Sequence, residues 1–168
     1  MAASGKTTLA RALCSHFPSC AVVHMDDFTV PFENRYPGYF EDTLSNADIA
    51  RFDREVLSPL TRGEDACYRP YRCHPDPGFG EMISIPAGCA VVIVEGAYCL
   101  HPDLFDRYDL RVLSLIDGDT QRARILARNG AQQLQRFESL WIPMENRHIA
   151  ERRLKETCDL IIYPDSAP

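Results

Sequence analysis

The sequence reads as an α/β chain, a parallel sheet with helices on both faces. Two observations predict this. The strand candidates are continuous apolar runs, such as Ala90–Val94, rather than alternating apolar and polar residues, which marks strands buried on both sides. These runs also alternate along the chain with amphipathic helix candidates, the pattern of parallel strands joined by helical crossovers. At 168 residues the length fits one domain. A chain of that size buries roughly 68–70% of its unfolded surface and needs no disulfide or metal to hold a core.

The elements follow in order. Residues 7–17 read as a helix with Leu9, Ala10, Leu13 and Cys14 on one face. Residues 20–25 form a short apolar strand that runs into Asp26 and Asp27. Residues 29–43 carry Pro31, Pro37 and Gly38 among aromatics and read as a loop. Ser45 is a candidate cap for a helix bearing Ile49, Phe52, Val56, Leu57 and Leu60, which Gly63 ends. Residues 70–80, with three prolines and two glycines, are expected to be irregular. After the apolar strand at 90–94 comes a second at 110–116, ending at Asp117. Asp119 opens a helix that stops near Asn129-Gly130. Residues 133–157 read as mostly helical with an interruption around Pro143, and 160–163 as a last short strand. Asp26, Glu95 and Asp117 each follow a strand directly, and in parallel sheets ligands bind at the carboxyl ends of the strands.

Composition narrows the function. A formal charge of −6 argues against a broad nucleic-acid face, and no apolar run approaches the ~20 residues of a membrane span. The seven cysteines are odd in number and none is spaced C-x-x-C, so free thiols in a reducing cytoplasm are expected. No leader-like segment opens the chain.

The chemistry starts at Ser4-Gly5-Lys6-Thr7-Thr8, the second half of G-x-x-x-x-G-K-[ST] placed at the start of a helix. Gly5 admits a phosphate close to the backbone, and the amides through Thr8 point at it from the helix N-terminus. Lys6 is positioned by the motif for β- and γ-phosphates and Thr7 for Mg²⁺. The plain alternative is an ordinary helix start with a solvated lysine. The first glycine of a complete loop falls one position before Met1, and the strand that feeds such a loop is absent; the expectation is that the native product extends upstream. Glu95, behind four apolar residues, is a candidate to hold Mg²⁺ or contact substrate, and otherwise caps a turn. Asp26 or Asp27 can accept the proton of an alcohol being phosphorylated. Arg122, Arg124 and Arg128 share a predicted helix, and Arg136 follows; together before Asn129-Gly130 they suit a lid that neutralises a transferring phosphoryl group.

Taken in order, SGKTTLARAL from Ser4, HMDDF from His24, VVIVEG from Val91, DGDTQRARILARN from Asp117 and CDLIIYPD from Cys158 resemble the uridine kinase group of P-loop kinases. That group includes nicotinamide riboside kinase, pantothenate kinase and phosphoribulokinase. The resemblance spans roughly residues 4–164. It implies a P-loop, three-layer α/β/α fold over 1–168 with a five-stranded parallel sheet, here lacking its first strand. It also implies ATP and Mg²⁺ as cofactors, a small-molecule substrate, and a short helical lid near 128–140. Asp26 matches the catalytic base, with Lys6, Arg124 and Arg128 as further catalytic positions. Ser4, Gly5, Lys6, Thr7 and Thr8 match the nucleotide-binding positions, and Thr7 and Glu95 the metal positions. Asp48, Tyr68, Cys73 and Glu95 match acceptor-binding positions. Cys73 stands where uridine kinases place a histidine, with His74 beside it, which weakens specificity for uridine. Trp141 to Glu145 lies outside these motifs, and core packing is the plain reading of Trp141. Related kinases often self-associate, so a homo-oligomer is a further expectation. The runner-up reading is a nucleotide-binding module without catalysis, supported by the half loop. A GTPase is disfavoured because the chain has no N-K-x-D guanine signature.

Overall fold

The computed structural model describes residues 1–40 and 47–164. The chain forms two compact units: Thr7–Arg107, and Met1–Lys6 together with the chain from Tyr108 onward. No described helix is long and apolar enough to cross a membrane.

The Thr7–Arg107 unit is organised by a parallel pair. Helix α1 (Lys6–Cys14) leads to β1 (Cys20–His24), and β1 pairs with β6 (Val91–Glu95) in a register that sets Val23 opposite Val94 and His24 opposite Glu95. Beyond β1 the chain tightens into a 3₁₀ turn, Met25–Phe28. Asp48 caps α2 (Ile49–Phe52), accepting from the Arg51 amide, and a wide π turn (Asp53–Leu57) continues into α3 (Ser58–Thr61). The cap expected from sequence, Ser45, lies outside the described residues. Gly63, at φ 74°, ends the helical run. Phe28, Phe52 and Val56 are fully buried and form the core here, each Phe contributing roughly 1.5–3 kcal/mol by burial.

Two antiparallel pairs follow: β2 (Ala66–Tyr68) with β5 (Ile83–Ile85), and β3 (Tyr71–Arg72) with β4 (Gly78–Phe79). The second pair corrects the expectation that 70–80 is irregular. The prolines and Gly80 sit around the pairing residues, and Gly78 pairs with Arg72 within the short ladder. Helix α4 (Pro102–Phe105) is capped by His101. Cys14 and Cys20 form a disulfide, with Cα atoms 5.4 Å apart. This corrects the expectation of free thiols, because the turn from α1 into β1 brings the two side chains together. Cys67, Cys73, Cys89, Cys99 and Cys158 remain thiols outside this disulfide.

In the second unit β7 (Val112–Ser114) pairs in parallel with β8 (Leu160–Ile162). Between them lie α5 (Gly118–Asn129), α6 (Ala131–Arg136), a π turn (Phe137–Trp141), α7 (Ile142–Glu151) and α8 (Leu154–Thr157). Asp117 itself caps α5, accepting from the amides of Asp119 and Thr120, so the helix starts just before the residue the sequence suggested. Pro143 does not interrupt the helix. It occupies the first turn of α7, where its missing N–H costs little, and the wide π turn before it makes room for the ring. The interruption comes at Arg153, in the left-handed region at φ 51°. Among the described residues, hydrogen bonding gives two separate parallel pairs and two antiparallel pairs.

Candidate active site

Glu95 ends β6 and His24 ends β1, and the parallel register sets them side by side. Glu95 Oε1 accepts from the Thr7 hydroxyl at 2.9 Å and lies 2.6 Å from His24 Nδ1. A carboxylate only accepts, so the proton of this bond belongs to Nδ1. Gly96 follows with φ 153°, and a Cβ there would lie 2.5 Å from Met25 Cβ. The glycine is what lets the ends of β1 and β6 approach so closely.

Thr7 and Glu95, the two predicted Mg²⁺ positions, are therefore hydrogen-bonded neighbours. Their oxygens are hard donors of the kind Mg²⁺ takes, and this ion usually binds through one or two protein oxygens, with waters and phosphate oxygens completing its shell. The pair fits that role. Among the described residues no cluster of three or more His, Cys, Asp or Glu is arranged to hold a metal.

The two adjacent acids part company. Asp26 is exposed. Asp27 is only 3% exposed, and its carboxylate accepts from Arg72 Nη1 at 2.7 Å and from the Tyr68 hydroxyl at 3.3 Å. Burial, with the Asp27 charge beside it, pushes the Tyr68 hydroxyl well above its ordinary range, so it remains a donor. Arg51, also buried, donates to the carbonyls of Asp27 at 2.7 Å and Arg69 at 2.9 Å. Its guanidinium stands 4.6 Å from the centre of the Phe28 ring. Desolvation lowers its pKa, with Glu55 and Asp48 opposing. Asp48, besides capping α2, lies 3.7 Å from Arg51 Nε. Cys73 Sγ receives Arg35 Nη2 at 3.7 Å, and the Arg35 guanidinium covers the Phe32 and Tyr39 rings.

In the other unit the half loop is folded on itself. Lys6 Nζ and the Ser4 hydroxyl both donate to the Met1 carbonyl at 2.8 Å, and Ser4 is fully buried. Gly5 takes φ 84°, and Ala3 also lies in the left-handed region at φ 56°. Thr8 is exposed on α1. Arg124 donates to the Ala3 carbonyl at 3.2 Å, Arg128 to the side chain of Asn129, and Arg122 to Glu138 and Asp119.

Sequence reasoning missed His24 and Arg51. His24 could have been found from its position, since strands of equal length ending in His and Glu become cross-strand neighbours if paired in register. For Arg51 there was no signal, because a single arginine before Phe52 on an amphipathic helix reads as solvated.

No family model matches the chain. Among solved structures, it resembles a possible uridine kinase from Bacillus stearothermophilus with a TM-score of 0.70 and 17% identity, covering 96% of this chain and 84% of that one. A candidate fructose transport system kinase from Silicibacter sp. superposes with a TM-score of 0.66 and 22% identity, covering 95% and 84%. The fold is that of the P-loop kinases. Two curated relatives also match this chain. The tRNA-specific adenosine deaminase subunit tad2 of Schizosaccharomyces pombe is 30% identical over 128 residues, 72% of this chain and 30% of that protein. The nicotinamide riboside kinase of Eremothecium gossypii is 29% identical over 156 residues, 80% of this chain and 63% of that protein. The chain thus spans less than two thirds of the length of either curated relative.

Proposed function

We propose that this chain is an ATP-dependent kinase that transfers the γ-phosphoryl group to a hydroxyl of a small metabolite, with a nucleoside as the acceptor class. The observation that carries the reading is the bond between the Thr7 hydroxyl and Glu95. It ties the hydroxyl of the G-K-T motif to the carboxylate that ends a buried strand, the pairing that metal-assisted phosphoryl transfer uses. The kinase fold and a kinase relative point the same way.

In this reading Ser4 to Thr8 hold the donor phosphates, Lys6 leaving the Met1 carbonyl to do so. Thr7 and Glu95 hold Mg²⁺, which when bound neutralises charge on the phosphate oxygens. Asp26 orients the acceptor hydroxyl and takes its proton as the oxygen bonds to the γ-phosphorus and the bond to the β-phosphate oxygen breaks, releasing ADP. Arg124 and Arg128 serve the transferring group from a lid formed by the helices near 128–140. Of the two acids, Asp26 suits the base because it is exposed to an incoming acceptor, whereas Asp27 is only 3% exposed. Asp48, Tyr68, Cys73 and Glu95 are the acceptor-binding candidates in this reading, with Tyr68 held by Asp27.

The test is ADP release from Mg-ATP across a panel that includes uridine and nicotinamide riboside, with the phosphorylated product confirmed by mass. Acceptor-dependent release with a matching product supports the reading. ATP binding without release for any hydroxyl acceptor would instead favour a non-catalytic nucleotide module.

A further inference from the structure

The segment Trp141 to Glu145 stands outside every motif that supports the kinase reading, yet it supplies, with Asp27, one of the two buried carboxylates among the described residues. Glu145 is 6% exposed, and both its oxygens face one group, the amide of Ala2, at 3.0 and 2.8 Å. The other side of the same residue is also held. Gln121, 1% exposed, donates its Nε2 to the Ala2 carbonyl at 3.1 Å. A buried carboxylate and a buried amide are costly unless bonded, and here both are directed at the two polar atoms of one residue. The next residue, Ala3, takes a left-handed backbone that an alanine adopts only when its surroundings impose it.

Ala2 precedes Ser4-Gly5-Lys6-Thr7, so fixing its N–H and C=O fixes the path by which the chain enters the loop. Gln121 lies on α5 and Glu145 on α7, the helices on either side of the segment read as the lid. We infer that Gln121 and Glu145 are positioning residues that clamp Ala2 and hold the loop in the conformation that receives phosphate, one from each helix flanking the lid. The inference rests on the reading of Ser4–Thr8 as the phosphate loop. Neither side chain touches the reacting groups in this scheme. Their effect on nucleotide binding passes through the backbone.

The test uses the full chain and ADP. Calorimetry gives the ADP dissociation constant for the wild type, Gln121→Met, Glu145→Gln and Glu145→Met, and thermal unfolding without ligand gives the stability of each. Amide exchange at Ala2 is followed by NMR in the wild type. The clamp predicts slow exchange at Ala2, a dissociation constant raised at least tenfold in Gln121→Met and Glu145→Met, and near-wild-type binding in Glu145→Gln, which keeps an acceptor oxygen for the amide. Folded methionine variants that bind ADP as the wild type does would overturn it. Should those variants fail to fold, exchange at Ala2 as fast as at an exposed amide would overturn it in the wild type alone. A wild-type chain that binds no ADP at all would sink the phosphate-loop reading instead, while the exchange measurement still tests whether Ala2 is held.

Discussion

The carboxyl ends of β1 and β6 and the helices from Gly118 to Trp141 both carry residues assigned to phosphoryl transfer, but they hold them in opposite ways. At and beside the strand ends several polar groups are fixed by register or burial: Glu95 between Thr7 and His24, Asp27 between Arg72 and Tyr68, Arg51 on two carbonyls. On the helices Arg122, Arg124 and Arg128 are exposed. Arg122 and Arg128 are bonded to side chains nearby, with Asn129 and Asp119 only one and three residues away in sequence. Exposed pairs of that kind contribute about 0–1 kcal/mol and exchange readily. The first region is built before any ligand arrives, whereas the second holds groups that a ligand can recruit.

That contrast can be broken or sharpened by substitution. The largest expected effect is that of Asp26→Asn, which should lower turnover by about 10²–10⁴-fold while leaving the ADP dissociation constant within about twofold. Steady-state kinetics beside calorimetry separate the two, and an equal loss in both would remove Asp26 from the chemistry. Arg51→Met should come next. It strands the buried carbonyl of Asp27 and removes the partly buried bond to the Arg69 carbonyl, at about 2–3 kcal/mol by urea unfolding, and a loss below about 0.5 kcal/mol would show that this region is not rigidly built. Gly96→Ala forces a Cβ against Met25 and should cost about 1–3 kcal/mol, read from the same denaturation midpoint.

The smallest effect belongs to the other unit. Asp159 accepts from the Arg111 side chain and backbone amide, which hold its pKa down at about 2. A carboxyl whose folded pKa is lowered adds stability above its unfolded value, near 3.9, and loses it as pH falls through the folded value. Asp159→Asn should therefore lower stability at pH 7, with the difference from the wild type shrinking between about pH 4 and pH 2 and vanishing below that. An unchanged acid limb would mean that the pair does not persist in solution.

Much of this was legible in the sequence because the signals were local. The apolar run before Asp26 gave β1, the run before Glu95 gave β6, and G-K-T marked the start of α1. What stayed hidden depends on pairing or on neighbours that local patterns do not show. The pairing of 71–72 with 78–79 is too short to outweigh its prolines in any local reading. Pro143 reads as a breaker until the π turn before it is seen. Asp27 and Asp26 are indistinguishable until the fold sends Tyr68 and Arg72 to one of them. Gln121 and Glu145 look like ordinary helix surface residues, since nothing local shows that both meet Ala2.

The pairing of His24 with Glu95 follows from the shared register of two five-residue strands. A side chain at either position can change while the frame survives. Adding or removing one residue inside β1 or β6 turns every later side chain to the opposite face, carrying His24 or Glu95 away from its partner and from Thr7. Related chains that keep this arrangement should therefore vary in the identity of the residues along these strands but never in their number, with length changes confined to the turns on either side.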